Sequence, residues 1–388
     1  MIFTDKKLMP ISFDFLPMGL DIADWESIKS ICEDLCASNP QTPDELIALL
    51  EKASELRKAL EDELSWRYIR MTLNADDESY SEAYNDFYSK VFAQTEPYRF
   101  QLQKIFWESP HRLKLNASEY GHLISIIENE IKLFREENIP LNINESELAN
   151  NYGSIISQMT AEIDGEEKTV AQLSVYLKDQ DRSKREKAWR LRMACYQSQE
   201  TELNKLYDEL KSLRVQIAKN ADMPNYRDFM HKYKGRFSYS PEDLQTFHRS
   251  VEKVVVPFVT EMHEHRKKVL GLDTLRPWDL AVDLDGRTLK PFENTEEFID
   301  KAIKILGSVK PEYAIQLEMM NNTGLLDLEN RKGKAPGGYN TGINKLASSF
   351  IFMNHVKLHN DVVTLLHESG HAMHSTSTKN IKLDYYCD

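Results

Sequence analysis

The chain has 388 residues, of which 41% are hydrophobic and 29% are charged, and its net charge at pH 7 is −13. This composition supplies apolar side chains for a sizeable core and excludes wholesale disorder, while the acidic balance argues against nucleic acid as a partner. Glycine and proline number only 14 each, which disfavours turn-rich sandwiches, barrels and propellers and favours long helices.

Four cysteines are too few and too scattered for a disulfide framework, which predicts a reducing, cytoplasmic location. Cys32 and Cys36 lie on one predicted helix. Half of a metal site is one interpretation of this pair, and two small buried thiols are the other. No stretch approaches the ~18 uncharged apolar residues of a membrane span, so we expect no membrane segment.

The first part of the chain shows the patterns of amphipathic helices. Thr42–Glu45 combines a cap residue, a first-turn proline and a capping-box glutamate. Leucines then recur every three or four residues as far as Leu64. Similar apolar stripes occupy residues 24–37, 78–107 and 117–137, so this part is predicted to be helical.

Loop and turn signals follow these helices. Pro140 and the polar run Asn142–Glu147 predict a loop, and Asp164-Gly165 predicts the turn of a small hairpin. We place the domain boundary at this turn. It divides an N-terminal helical domain, residues 1–165, from a second domain, residues 166–388.

The second part begins with another helix start at Asp181, and the helical pattern continues to Ile217. Ser240-Pro241-Glu242-Asp243 starts a further helix. Four glycines between residues 333 and 342 then break the helical rhythm. The segment 348–354, rich in β-forming residues, is the best strand candidate of the chain.

Residues 361–374 carry recognisable chemistry, because they contain the pattern H-E-x-x-H. His367 and His371 project from one face of a helix, so their ring nitrogens can reach one ion at the ~2.0–2.1 Å typical of zinc. Glu368 points beside that ion, where a base for a water molecule should stand. The pattern therefore predicts a metal hydrolase centre.

The residues around the motif predict a buried helix. Apolar residues occupy four positions between 362 and 366, and Asn360 or Asp361 can cap the helix. Buried histidines need a partner, which a metal would supply; the alternative is a helix with chance polar residues and satisfied core histidines. Gly370 lies inside the helix, where glycine is less favourable than alanine by ~1 kcal/mol. This cost suggests close approach of another backbone or a substrate.

The third metal ligand stays open. The metzincin pattern fails, because it requires glycine at position 374, where the chain has His374, and histidine at 377, where it has serine. His374 is ~10.5 Å from His367 along a helix axis, so we place it around the ligands or in the core. A distant glutamate is the remaining option, but Glu368 is the last glutamate and only Asp384 and Asp388 follow it.

This segment resembles the H-E-x-G-H-x-x-H helix of the thimet oligopeptidase and oligoendopeptidase F family of zinc metallopeptidases. Further segments resemble landmarks of that family in the expected order: Asp181–Glu186, Arg276–Leu280, Ala335–Tyr339 and Phe350–Asn354. The resemblance extends from about residue 20 to the end of the chain and is weaker before residue 180.

The resemblance implies a mostly α-helical, two-lobed metallopeptidase fold around a deep channel, with a small β-sheet beside the H-E-x-x-H helix. It implies one Zn²⁺ bound by His367, His371 and a glutamate on a later helix, with Glu368 as general base. The substrates it implies are oligopeptides, and residues 166–388 become the catalytic domain. The oligomeric state is left open.

The family also implies that residues 337–354 lie beside the substrate, with a strand edge that pairs with an extended peptide. The residues expected to contact substrate are Gly337, Gly338, Tyr339, Phe352 and Asn354. Around the metal ligands we expect Asp361 and His374.

In the family the glutamate ligand lies beyond the position where this chain stops. We therefore expect a chain that is truncated at its C-terminal end, with weak zinc affinity and little activity. Two other hypotheses stay open. One is a non-catalytic helical peptide-binding protein or pseudo-enzyme, and the other is a different metal hydrolase that uses the same two histidines.

Overall fold

A computed structural model describes residue 11 and residues 13–287 and 289–387. Within them the chain forms fifteen α-helices and five short strands, which confirms the mostly α-helical class. The helices are Trp25–Cys36 (α1), Pro43–Leu73 (α2), Glu78–Phe87 (α3), Glu96–Glu108 (α4), Ala117–Leu133 (α5), Asn138–Ser157 (α6), Val170–Tyr176 (α7), Arg182–Ser198 (α8), Glu200–Asn220 (α9), Tyr226–Tyr233 (α10), Pro241–Ser250 (α11), Val256–Val269 (α12), Thr295–Val309 (α13), Pro311–Asn322 (α14) and His359–Ser377 (α15). The strands are Thr160–Ile163 (β1), Glu166–Thr169 (β2), Leu326–Glu329 (β3), Tyr339–Ile343 (β4) and Ser348–His355 (β5).

Helix starts lie where the capping residues predict them. The Thr42 side chain accepts a hydrogen bond from the Glu45 amide at 3.1 Å, and α2 begins at the next residue. Asp181 caps α8 and Ser240 caps α11 in the same way. These side chains satisfy amide groups that have no acceptor inside the helix, which is why local sequence suffices to find them.

The predicted loop at Pro140 is wrong, because α6 runs through it. Pro140 is the third residue of α6, a position where a backbone N–H has no helical acceptor, so proline costs no hydrogen bond there. The side-chain Nδ2 of buried Asn138 donates to the carbonyl of Ile217 at 3.1 Å and fixes the helix start against α9. A tertiary contact therefore overrides the local loop signal.

Strands β1 and β2 confirm the predicted hairpin. Asp164 has φ +55° and Gly165 has φ +82°, the left-handed pair that a two-residue turn of this type requires. Ile163 and Glu166 pair directly across the turn. The domain boundary placed at residue 165 stays a prediction.

The other strands form a three-stranded sheet in the order β3-β5-β4. Strand β5 pairs parallel with β3 and antiparallel with β4, with Tyr339 opposite Phe352. Helices α13, α14 and α15 pack with this sheet in one core, to which α2 contributes Ile69. The long α2 helix thus connects the helical N-terminal part to the core that carries the sheet.

Helices α11 and α12 are joined by a π-helical turn, Val251–Val255, and none of their described residues is buried. The predicted helix is confirmed, but large apolar side chains on it are exposed, among them Phe258 at 60%. In the part of the chain that the structure describes, no helix is long and apolar enough to cross a bilayer.

Cys32 and Cys36 both lie in the packing of α1. Cys32 is buried and Cys36 is half-buried, and burial raises the pKa of the Cys32 thiol to about 12. Neither belongs to a group of three or more metal-binding side chains among the described residues. The interpretation as packed thiols is therefore the one the structure supports.

Candidate active site

An acidic side chain in the first turn of α15 binds amides of the residues that lead into the helix. The Asp361 carboxylate accepts hydrogen bonds from the Leu358 amide at 2.7 Å and the Val356 amide at 3.0 Å. Burial raises the pKa of the Asp361 carboxyl, and these two hydrogen bonds oppose that rise. Helix α15 begins at His359, so neither Asn360 nor Asp361 is its N-cap; Asp361 lies in the first turn and binds the amide of the N-cap residue Leu358. Asp361 precedes His367 by ~9 Å along the axis, and its expected place around the metal ligands stays a prediction.

The two histidines of the motif converge. The Nε2 atoms of His367 and His371 are 3.2 Å apart, and their ring planes are nearly perpendicular at 86°. Two nitrogens bound to one tetrahedral zinc at ~2.0–2.1 Å stand about 3.3–3.4 Å apart. The residues present therefore fit a divalent ion held between these two rings.

The helix is not buried in the way its sequence predicts. His367, His371 and His374 are exposed, whereas Leu365 and Ala372 on the opposite side are fully buried against the sheet core. The packed elements cover only one side of α15, so its histidine side faces solvent. His374 consequently does not belong to the core, and the argument from buried histidines does not apply.

Glu368 lies between the covered and the open side of α15, with 8% of its surface exposed. Its backbone carbonyl accepts a hydrogen bond from the Asn340 amide at 3.1 Å, which ties β4 to the helix. Among the described residues, no side chain or amide hydrogen-bonds or ion-pairs with its carboxylate. The carboxylate is therefore available to a water molecule or a substrate.

Sequence reasoning missed Asn340. Its Nδ2 also donates to the Ser349 hydroxyl at 2.7 Å, so one side chain joins β4, β5 and α15. Strand alternation could have indicated it, because Asn340 follows Gly338, an expected substrate contact, by two residues, and residues two apart in an extended chain face the same side.

The glycine segment lies beside α15, as expected. Gly337 has φ +89°, a conformation that favours glycine. A Cβ on Gly338 would stand 3.3 Å from the Phe352 carbonyl and 3.6 Å from Thr364, which precedes Glu368 by one helical turn. Both glycines are exposed, so this segment borders the open side of the candidate site.

Phe352 cannot contact a substrate, contrary to expectation. It is fully buried and stacks on Tyr339 with ring centroids 4.7 Å apart. The reason is that β5 is the middle strand and is covered on both sides, so the edge strand on this side is β4. The half-buried Tyr339 has its hydroxyl within 2.7 Å of Thr72 Oγ1, which leaves mainly its backbone for a ligand.

Asn354 shapes the glycine segment and does not project from it. Its Nδ2 donates to the carbonyls of Ala335 at 2.8 Å and Gly337 at 2.9 Å, and its Oδ1 accepts from Asn330. All functional atoms of this amide are engaged within the protein. Its expected substrate contact is therefore replaced by a role in positioning Gly337.

The described residues contain no group of three or more His, Cys, Asp and Glu side chains arranged to hold a metal. Asp384, one of the two late carboxylates, is engaged elsewhere. It accepts from Arg99 at 2.7 Å and from the Ser54 hydroxyl at 2.6 Å. The other, Asp388, lies outside the described residues.

A cavity of about 1290 Å³ opens between the N-terminal helices and the sheet. Its walls include residues of α2, α4 and α5, Thr341 and Gly342 of β4, and Ser375 of α15. Ser375 follows His371 by one helical turn and donates to its carbonyl at 3.2 Å. The cavity therefore reaches one turn away from the histidine pair.

Two family models match the chain. The model of peptidase family M3 matches residues 175–384, and the model of the peptidase M3 N-terminal domain matches residues 15–134. A solved structure of PZ peptidase A with an inhibitor superposes with a TM-score of 0.89 at 25% identity, covering 96% of this chain and 67% of that one. A Bacillus anthracis str. Ames structure named after oligoendopeptidase F gives 0.88 at 24% identity, with 98% and 70% covered.

Curated relatives carry peptidase names. Group B oligopeptidase PepB of Streptococcus agalactiae serotype III (strain NEM316) is 23% identical over 308 residues, 74% of this chain and 45% of that protein. Oligopeptidase PepF of Bacillus subtilis (strain 168) is 34% identical over 116 residues, 29% of this chain and 17% of that protein. The chain spans less than half the length of these relatives. It belongs to peptidase family M3.

Proposed function

We propose that this chain carries the metal centre of a zinc-dependent endopeptidase that hydrolyses oligopeptides in the cytoplasm. The observation that carries the proposal is the 3.2 Å approach of the His367 and His371 Nε2 atoms. Glu368 follows His367 directly on the same helix, the position that the general base takes in this motif. Family membership and the peptidase names of the relatives support the reaction class.

The residues divide the chemistry between binding and proton transfer. His367 and His371 would hold the ion through Nε2. Zinc held there would supply a water molecule of lowered pKa and a Lewis acid for the scissile carbonyl. The Glu368 carboxylate would take a proton from the attacking water as the new C–O bond forms. It would then deliver this proton to the leaving amine nitrogen as the peptide C–N bond breaks.

The edge of β4 supports an extended peptide as substrate. Gly337 and Gly338 are exposed at the start of β4, and β4 is an edge strand beside α15. An extended peptide can add to such an edge through backbone hydrogen bonds. Asn340 holds this edge at the carbonyl of Glu368, so a peptide on β4 would lie next to the general base.

Zinc titration by calorimetry tests the centre. Replacing one imidazole leaves a single ligand, so His371→Ala should lose zinc binding. The matched control is His374→Ala, on the same exposed side of α15, which should bind zinc like the wild type. Equal zinc affinity in all three proteins would refute the assignment.

Glu368→Gln tests the general base, because glutamine keeps the size of the side chain but cannot take up the proton. This variant should bind zinc like the wild type and hydrolyse a quenched fluorescent oligopeptide at least about a hundredfold more slowly. Retained turnover would show that another group acts as base.

A non-catalytic peptide-binding protein is the second candidate. It is favoured by one observation, the absence of a third metal-binding side chain near the histidine pair among the described residues. Peptide binding by the wild-type chain without cleavage at saturating zinc would support this alternative, and zinc-dependent cleavage would exclude it.

A further inference from the structure

The residues that precede α1 run along the wall of the large cavity. Ile11, Phe13, Asp14 and Phe15 all line it. We call Ile11 and Phe13–Leu16 the N-terminal strap. The strap has no helix or strand of its own, so its contacts with the rest of the molecule decide where it lies.

One carboxylate on α2 holds one end of the strap. Glu55 accepts three backbone hydrogen bonds, from the amides of Asp14 at 2.9 Å, Phe15 at 2.7 Å and Leu16 at 2.7 Å. Hydrogen bonds to an ionised acceptor are roughly twice as strong as neutral ones. Lys52 adds a contact from the same helix, with its Nζ 5.6 Å from the centre of the Phe15 ring.

The other end of the strap is bound beside the sheet. The Ile11 amide donates to the Lys345 carbonyl at 2.6 Å, two residues after β4 ends. The Lys345 amide in turn donates to Asp62 of α2 at 2.7 Å. The described residues of the strap are therefore bound at two places, residues 14–16 at the middle of α2 and Ile11 just after the end of β4, and both places lie on the wall of the cavity.

We propose that the strap limits the length of peptide that the cavity accepts, and that Glu55 is the residue that positions the strap. This inference rests on the proposed function. A short peptide on β4 leaves the strap in place, whereas a long one must displace it. The apparent affinity for long peptides is then reduced by the fraction of molecules in which the strap is released.

The test compares the binding of dye-labelled peptides of five and fifteen residues by fluorescence anisotropy at saturating zinc. Two variants release the strap by different routes. Glu55→Ala removes the acceptor of the three strap amides. Ile11→Pro removes the N–H that donates to the Lys345 carbonyl, and Ile11 is exposed, so this substitution leaves the core unchanged. The matched control is Glu63→Ala, also on α2, which loses an ion pair with Arg67 outside the cavity.

We expect both release variants to bind the long peptide about tenfold more tightly and the short peptide like the wild type. Glu63→Ala should change neither affinity. Hydrogen exchange should show the amides of residues 14–16 protected in the wild type and unprotected in Glu55→Ala. A merely structural role for Glu55 would change both peptide affinities alike.

Two outcomes would overturn the inference, and they are distinguishable. If the release variants lose strap protection while both peptides keep their wild-type affinities, the strap does not limit length and the proposed function stands. If the wild type binds neither peptide at saturating zinc, the proposed function fails and the strap inference fails with it.

Discussion

The ammonium group of Lys334, three residues before Gly337, is enclosed by oxygen atoms. It donates to the Asp327 carboxylate at 2.7 Å, to the carbonyls of Asp327 and Glu329, and to that of Met353. Its side chain is fully buried, and burial lowers its pKa to about 8. This one side chain joins β3 to β5 next to the segment that borders the candidate site.

Lys334→Met should lower the free energy of unfolding by ~3–5 kcal/mol, because it leaves buried oxygens without a donor. Urea unfolding measures the change. Lys332→Met is the matched control, since the Lys332–Glu167 pair is exposed and should be worth ~0–1 kcal/mol. Equal losses in both variants would contradict the role given to Lys334.

Asp62 makes stability depend on pH. Its carboxylate accepts from the amides of Asn344 and Lys345, and burial raises its pKa from 3.8 to about 6. Between these values the folded protein holds a proton that the unfolded chain releases. Its stabilising contribution is therefore complete below about pH 4 and is lost as the pH rises through about 6.

Between about pH 4 and 7, we expect the free energy of unfolding of the wild type to fall relative to that of Asp62→Asn, because only the wild type carries the carboxyl with the raised pKa. Urea unfolding at several pH values measures this difference, and the comparison cancels groups that titrate equally in both proteins. Parallel pH profiles would show that Asp62 titrates normally in the folded state.

At the scale of the elements, what could be predicted was local. The caps at Thr42, Asp181 and Ser240 and the Asp164-Gly165 turn act within four residues, and each is present where predicted. The strand predicted at 348–354 is likewise present as β5.

What could not be predicted depends on neighbours distant in sequence. Phe352 is buried because β5 is the middle strand, and strand order cannot be predicted from the composition of a single strand. The histidines of α15 are exposed because no described element covers that side, although the apolar residues before them suggested burial. Pro140 starts no loop because Asn138 is held by α9.

Two phenylalanines show how differently the helices α13 and α12 are packed. Phe298 of α13 is 1% exposed and stacks on Phe292, whereas Phe258 of α12 is 60% exposed. Phe298→Ala should lower the free energy of unfolding by ~3–5 kcal/mol, and Phe258→Ala should change it by less than about 0.5 kcal/mol. Thermal and urea unfolding measure both, and a large loss in Phe258→Ala would show that α12 is packed in solution.

At the scale of the whole molecule, α2 contributes to three apolar clusters, one of which joins its Leu46 and Leu50 to α4 and α5. Its first half packs Leu49 and Leu56 with α1 and α4, and its last turns place Ile69 in the core of the three-stranded sheet. The strap anchor Glu55 lies between them. The N-terminal helices, the cavity wall and the sheet are therefore parts of one continuous packing arrangement.

The late segment that carries Asp384 returns to the N-terminal helices, where Arg99 and Ser54 bind that carboxylate and Leu383 packs with α2, α4 and α5. The parts of the chain before and after the Asp164-Gly165 turn thus pack against each other at several separate places, including α6 with α9 and α2 with β4. After cleavage at a protease site inserted in this turn, the two fragments should co-elute in size-exclusion chromatography. They should elute separately only in urea. Such a molecule is a natural candidate for fragment complementation, with the two pieces expressed from separate genes and reassembling without a covalent link.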